Sequence, residues 1–170
     1  MSEKRIKEII RVNQAGELGA IQIYKGQLAV LKNKKVAKEL KVMLKKELNH
    51  YNKFNDLIRE YEVRPTALSP IWKRGAFLLG VSTAILGRKA TMACTEAVEE
   101  VIIEHYENQS KYLKDKDIYL SKITKKFCKE EKEHLDLAKK HDTGKDPFHK
   151  VLKSSIRLLS KIAIKASEKF

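Results

Sequence analysis

One spacing constrains this chain more than any other: glutamate and histidine three residues apart, twice, each time inside an apolar helical stripe. Glu47 and His50 interrupt a run of Leu40, Met43, Leu44, Tyr51, Phe54 and Leu57. Glu131 and His134 interrupt Leu120, Ile123, Phe127 and Ala138. Residues three apart share one helix face, and apolar residues at three- and four-residue steps commit that face to the interior. A carboxylate or an imidazole is costly to bury without a partner. The partners have to come from elsewhere in the chain.

Each pair is preceded by a glutamate on the buried stripe of an earlier helical pattern. Glu17 stands 30 residues before Glu47, among Ile6, Ile10, Ile21, Tyr24, Leu28 and Leu31. Glu99 stands 32 residues before Glu131 and shares its face with Met92, Thr95, Ile102 and Tyr106. Its neighbours Glu96, Glu100, Glu104 and Glu107 form a separate row, which reads as a solvated acidic face. The chain therefore consists of two helical hairpins, each with Glu on its first helix and Glu-x-x-His on its second. With 16 glutamates and five histidines in 170 residues, about half a Glu-x-x-His match is expected by chance. The lone glutamates and the inward registers, more than the spacing alone, make the repeat meaningful.

Four carboxylates and two imidazoles facing one another repel strongly in a low-dielectric interior. Two divalent cations balance four carboxylates. A Glu from each of two helices and Glu-x-x-His from each of two others is the ligand pattern of ferritin-like di-iron proteins, and mixed carboxylate and imidazole ligands suit iron or manganese. The expected architecture is all-α: a ferritin-like four-helix bundle forming one domain over 1–170. Its core helices fall at about 3–31, 36–62, 89–113 and 117–141, with accessory helices at about 71–86 and 148–169. Breaks are set by Asn33-Lys34-Lys35, by VRPTALSP with Pro65 and Pro70, by Lys114-Asp115-Lys116 and by DTGKDP. Gly16, Gly19 and Gly26 weaken the first helix unless another backbone approaches closely there.

The formal net charge of +14 favours an anionic partner. The last helix sets Phe148, Leu152, Ile156, Leu159, Ala163, Ala166 and Phe170 against Lys150, Lys153, Arg157, Lys161 and Lys165, a pattern suited to an anionic membrane surface. Trp72, at the start of an apolar helix, suits an interface. The longest uncharged run, Gly75 to Gly87, is 13 residues, whereas a spanning helix needs about 20. No transmembrane segment, export signal or nucleic-acid motif is expected. Two cysteines outside any metal-binding spacing fit a reduced, intracellular protein, with Cys94 a small buried residue.

RVNQAGELGAIQIYKGQ, KELNHYNKFNDL, ACTEAVEEVIIEHYENQ and CKEEKEHLD, in that order, closely resemble the demethoxyubiquinone hydroxylases of ubiquinone biosynthesis, and the likeness continues to VLKSSIRLLSKIAI. The resemblance implies two irons held by Glu17, Glu47, His50, Glu99, Glu131 and His134, the six residues that periodicity also selects. It implies a monooxygenase that hydroxylates the ring of a demethoxylated polyprenyl quinone with O2, with NADH or a quinol as electron source. It further implies peripheral attachment at the cytoplasmic face of the cell or inner membrane, with room for a lipid-binding accessory protein. His105 and Tyr106 match a family pair expected near the substrate and the irons. Where many members read RVDHAGE, this chain has Asn13 and Gln14. Two other readings compete: an iron-oxidising protein of the ferritin or peroxidase kind, and a metal-free basic helical protein that binds membranes.

Overall fold

The computed structural model describes residues 2–32, 34–141, 143 and 146–170. Asn33 of the first turn, and Asp142, Gly144 and Lys145 of the DTGKDP stop, lie outside the described residues. Among the described residues there are six helices and no strand: α1 (Ser2–Leu31), α2 (Ala37–Glu60), α3 (Ser69–Ile85), α4 (Arg88–Leu113), α5 (Ile118–Lys139) and α6 (Pro147–Lys169). Helices α1 and α2 form one hairpin and α4 and α5 the other. The two hairpins make the bundle, while α3 lies along α1 and α6 along α4. This is the ferritin-like helical bundle that the sequence pattern implies.

Local chemistry fixes the ends. Helix α2 stops where Glu62 takes the left-handed conformation, φ 50°, a position more often filled by glycine. Helix α3 starts at Ser69, ahead of the expected Ile71, because Pro70 falls in its first turn, where a missing N–H leaves nothing unpaired. Asp117 caps α5 by accepting from the Leu120 amide at 2.8 Å, and Asp146 caps α6 by accepting from the His149 amide at 3.1 Å. Both cysteines are buried and unbridged.

Of the three glycines in α1, one meets another backbone. A β-carbon on Gly26 would overlap the Phe77 carbonyl oxygen, and one on Gly80 would overlap the Ile23 carbonyl oxygen, so α1 and α3 touch main chain to main chain. Gly16 and Gly19 have open space instead. They line an apolar cavity of about 310 Å³ between α1, α3, α4 and α6.

The acidic row of α4 is solvated only toward its C-terminal end, at Glu104 and Glu107. Glu96 is buried and pairs with Lys153 at 3.2 Å, Glu100 accepts from Arg157 at 2.7 Å, and Glu104 meets Lys161 at 3.0 Å. Each cation sits 57 positions after its glutamate, so α4 and α6 run parallel as a ladder of ion pairs. Lys153, Arg157 and Lys161, read from sequence as the outward basic side of α6, therefore face α4. The outward side of α6 mixes apolar and basic residues: Phe148, Val151, Leu158, Leu159 and Ile162 are exposed beside Lys150 and Lys165, and Ile71, Leu78, Ile85 and Leu86 are exposed around α3. No helix among the described residues is long and apolar enough to cross a membrane.

A methyl group at Gly26 has nowhere to go unless α1 and α3 separate. Gly26→Ala should lower stability by about 1–3 kcal/mol in denaturant unfolding, despite alanine's better helix propensity. Gly19→Ala, facing open space, should not. Equal effects would contradict the seam.

Candidate metal centre

The helical registers bring six side chains to one place in the bundle interior. Glu17 comes from α1, Glu47 and His50 from α2, Glu99 from α4, and Glu131 and His134 from α5. All six are almost completely buried, from 0% exposed at His50 and Glu131 to 2% at Glu17 and His134. They fall into two overlapping sets, Glu17–Glu47–His50–Glu131 and Glu47–Glu99–Glu131–His134, whose donor atoms lie within 4.8 Å of one another. Glu47 and Glu131 belong to both sets. The centre thus has two positions that share two carboxylates, with one further carboxylate and one imidazole at each end.

The donor atoms are poorly served by the protein itself. His50 Nδ1 lies 3.0 Å from Glu131 and 3.4 Å from Glu17, and His134 Nδ1 lies 2.9 Å from Glu131 and 3.0 Å from Glu47. Yet both oxygens of Glu47 and of Glu131, Oε2 of Glu17 and of Glu99, and both Nδ1 atoms have no aligned hydrogen bond among the described residues. Buried polar atoms in such numbers are normally satisfied. All of them converge on the space between the helices, and a pair of oxygen- and nitrogen-binding divalent cations fits that donor set.

In the absence of cations, protons do part of that work. Burial pulls the His50 and His134 imidazoliums down, but their carboxylate neighbours outweigh it and push each pKa up to about 12. Burial and the Glu131 charge raise Glu99 to about 7 and also raise Glu47. Burial would raise Glu131, but the two imidazoliums that flank it, 3.0 and 2.9 Å away, outweigh burial and draw it down to about 2.

Further residues complete the centre. The Tyr106 hydroxyl donates to Glu17, and the Tyr24 hydroxyl donates to Glu99 at 2.7 Å. Tyr24 lies seven residues after Glu17, and Tyr106 seven after Glu99, yet each binds the glutamate of the other helix. The tyrosines take Oε1 of each end carboxylate and leave Oε2 for the centre. Glu130, half-buried, takes the outer nitrogen of His50, with Nε2 and Oε2 2.5 Å apart. Sequence reasoning assigned no role to Tyr24 or Glu130, although the repeated Glu-x6-Tyr spacing was a usable signal for Tyr24.

Tyr106 and His105 part company. Tyr106 is buried beside Glu17, whereas His105 lies against Gln109, 2.6 Å between the Nε2 atoms, and lines a groove with Arg5, Ile162 and Lys165. Gln109 and Asn13 exchange hydrogen bonds of 2.8 and 2.9 Å, and Gln14 donates to Asn55 at 3.0 Å. The two residues that depart from RVDHAGE therefore sit in neutral amide networks and not among the converging donors.

Helices and centre together place the chain in the ferritin-like class of carboxylate-rich bundles. The family model described as ubiquinone biosynthesis protein COQ7 matches residues 4–167. The NADPH-dependent 3-demethoxyubiquinone 3-hydroxylase, mitochondrial, of Bos taurus is 43% identical over 173 residues, covering 99% of this chain and 80% of that protein. The 3-demethoxyubiquinol 3-hydroxylase of Rhodospirillum rubrum is 41% identical over 165 residues, covering 96% and 78%. The 5-demethoxyubiquinone hydroxylase, mitochondrial, of Saccharomyces cerevisiae is 38% identical over 183 residues, covering 96% and 78%. The chain belongs to the COQ7 family of ubiquinone biosynthesis proteins.

A metal ion at either Nδ1 must displace a proton that is held up to about pH 12. Metal uptake at neutral pH should release protons, and affinity should rise with pH, by about tenfold per unit for each proton displaced. Calorimetry in buffers of different ionisation heat measures this directly. Affinity independent of pH would contradict the assignment of these atoms.

Proposed function

We propose that this chain is a di-iron monooxygenase that hydroxylates the ring of a demethoxylated polyprenyl quinone. The observation that carries the reading is the buried cluster of four carboxylates and two imidazoles with its donor atoms turned inward, in a chain of a family whose relatives are named demethoxyubiquinone hydroxylases. Glu17, Glu47, His50, Glu99, Glu131 and His134 would hold two irons, Glu47 and Glu131 being shared between them. Bound iron would supply the activation of O2. Overall, one oxygen atom replaces a ring hydrogen as hydroxyl, and the other leaves as water with two electrons and two protons from a reductant. A nicotinamide nucleotide fits that role, since several relatives are named NADPH-dependent.

The protein's own contribution is position and dryness. Phe127 stacks on His50 with ring centroids 4.0 Å apart, and Phe54 packs against both Phe127 and Tyr106, which closes one end of the site to water. Tyr24 and Tyr106 orient the end carboxylates. The apolar cavity reaches α1 at Gly16, next to Glu17, and its other walls include Trp72, Ala76 and Ala163. It is where a polyprenyl substrate would enter, and the exposed apolar sides of α3 and α6 would rest on a membrane that holds the tail. Glycines 16 and 19 keep that path open by having no side chains.

Mass spectrometry of the quinone after incubation with ferrous iron, reductant and 18O2 tests this reading. One 18O should be incorporated per turnover, and Glu131→Ala or His50→Ala should abolish it while helix content is retained. Full activity in either variant would contradict the site. Ala163→Trp, which fills the cavity, should raise KM for a long-tailed quinone by tenfold or more and leave a tail-less analogue nearly unaffected; equal effects on both would remove the cavity from the pathway.

A further inference from the structure

We infer that the two metal positions are unequal and fill in order, the Glu17–His50 position before the Glu99–His134 position. The inference rests on the di-metal reading above and concerns what surrounds each imidazole. An imidazole that offers its Nδ1 lone pair to a cation must carry its proton on Nε2. At His50 that proton has a carboxylate to go to: Glu130 Oε2 lies 2.5 Å from Nε2. Such a partner fixes the tautomer and ring orientation and makes the other nitrogen a stronger donor. The stack on Phe127 holds the same ring from its face.

His134 has neither support. Its Nε2 is buried and has no hydrogen-bond partner among the described residues, and its aromatic neighbour Tyr24 meets it edge-on at 6.5 Å. A proton placed on that nitrogen is a buried donor without an acceptor, which is costly.

The asymmetry is written in the sequence at a single register position. The residue before the second-hairpin glutamate is Glu130, whereas the residue before the first-hairpin glutamate is Lys46. Lys46 stands where the pseudo-symmetry of the hairpins would put an acceptor for His134. It is a cation, and its ammonium goes to Glu133 at 2.6 Å instead. The two motifs, KELNH and EEKEH, thus match at the ligands and differ at the one neighbour that supports an imidazole from behind. Glu130 is in this sense a positioning residue. Repulsion between two dications weakens whichever enters second, but it does not choose the order; Glu130 does.

Zinc(II) alone, a diamagnetic ion that takes oxygen and imidazole ligands, added to the metal-free protein and followed by NMR of the histidine ring nitrogens, tests the order. The first equivalent should perturb His50 while His134 remains near its metal-free position, and the second should perturb His134. Glu130→Ala should weaken the first step by about 10–100-fold and bring the two histidines into simultaneous or reversed response. Glu130→Gln, which keeps an acceptor without the charge, should fall between the two. Glu130 is partly exposed, so these variants are expected to stay folded, and circular dichroism checks that. Equal response of both rings in the wild type, His134 responding first, or Glu130→Ala weakening both steps alike would overturn the ordered filling. No zinc uptake at all would overturn the di-metal reading on which it stands.

Discussion

Everything else in this molecule depends on four carboxylates placed where water cannot reach them. Glu17, Glu47, Glu99 and Glu131 face one another with two imidazoles for company. Without cations the cluster is held together by protons that the histidines keep far above their ordinary range, while burial raises Glu47 and Glu99. Such an interior is expensive to maintain. The helices therefore have to be anchored independently of the centre, and the anchors are visible: a main-chain seam between α1 and α3 at Gly26 and Gly80, and the ion-pair ladder between α4 and α6. Each sets an accessory helix against one of the two cluster helices, α1 and α4, that give the centre a glutamate but no imidazole.

The internal pseudo-symmetry explains how so compact a centre is assembled from so little sequence. Each hairpin contributes Glu, a tyrosine seven residues on, and Glu-x-x-His. The tyrosines cross over, so that each hairpin orients the end carboxylate of the other. That crossing ties the two halves together at the site itself. The symmetry fails behind the histidines, where Glu130 and Lys46 differ. It also fails on the outside, where α3 leaves an apolar cavity along α1 while α6 brings its cations to α4.

The six converging residues were legible in the sequence because helical periodicity places each of them on a stripe that is otherwise apolar. A carboxylate there is conspicuous. Tyr24 was equally well placed, but a tyrosine on an apolar stripe reads as ordinary core, and only the hydroxyl's contact with Glu99 gives it a role. Glu130 was hidden for a different reason: on its own helix it looks like a surface partner for Lys126, and its reach to His50 depends on how α2 packs. The first half of α4's acidic row, Glu96 and Glu100, was misread as solvated because the cations that cover it come from 57 residues further along. Gly26 and Gly16 are alike in sequence, and the packing of α3 alone decides which marks a close approach and which an open cavity. What depends on one helix's own period can be read from the chain; what depends on the neighbouring helix has to be seen.

The most direct test of the central claim is an anaerobic ferrous-iron titration that counts metal ions bound per chain. The account predicts close to two, reduced together to weak or no specific binding in Glu131→Ala, because Glu131 belongs to both positions. A stoichiometry that never rises above zero, or two ions still held tightly without Glu131, would contradict it.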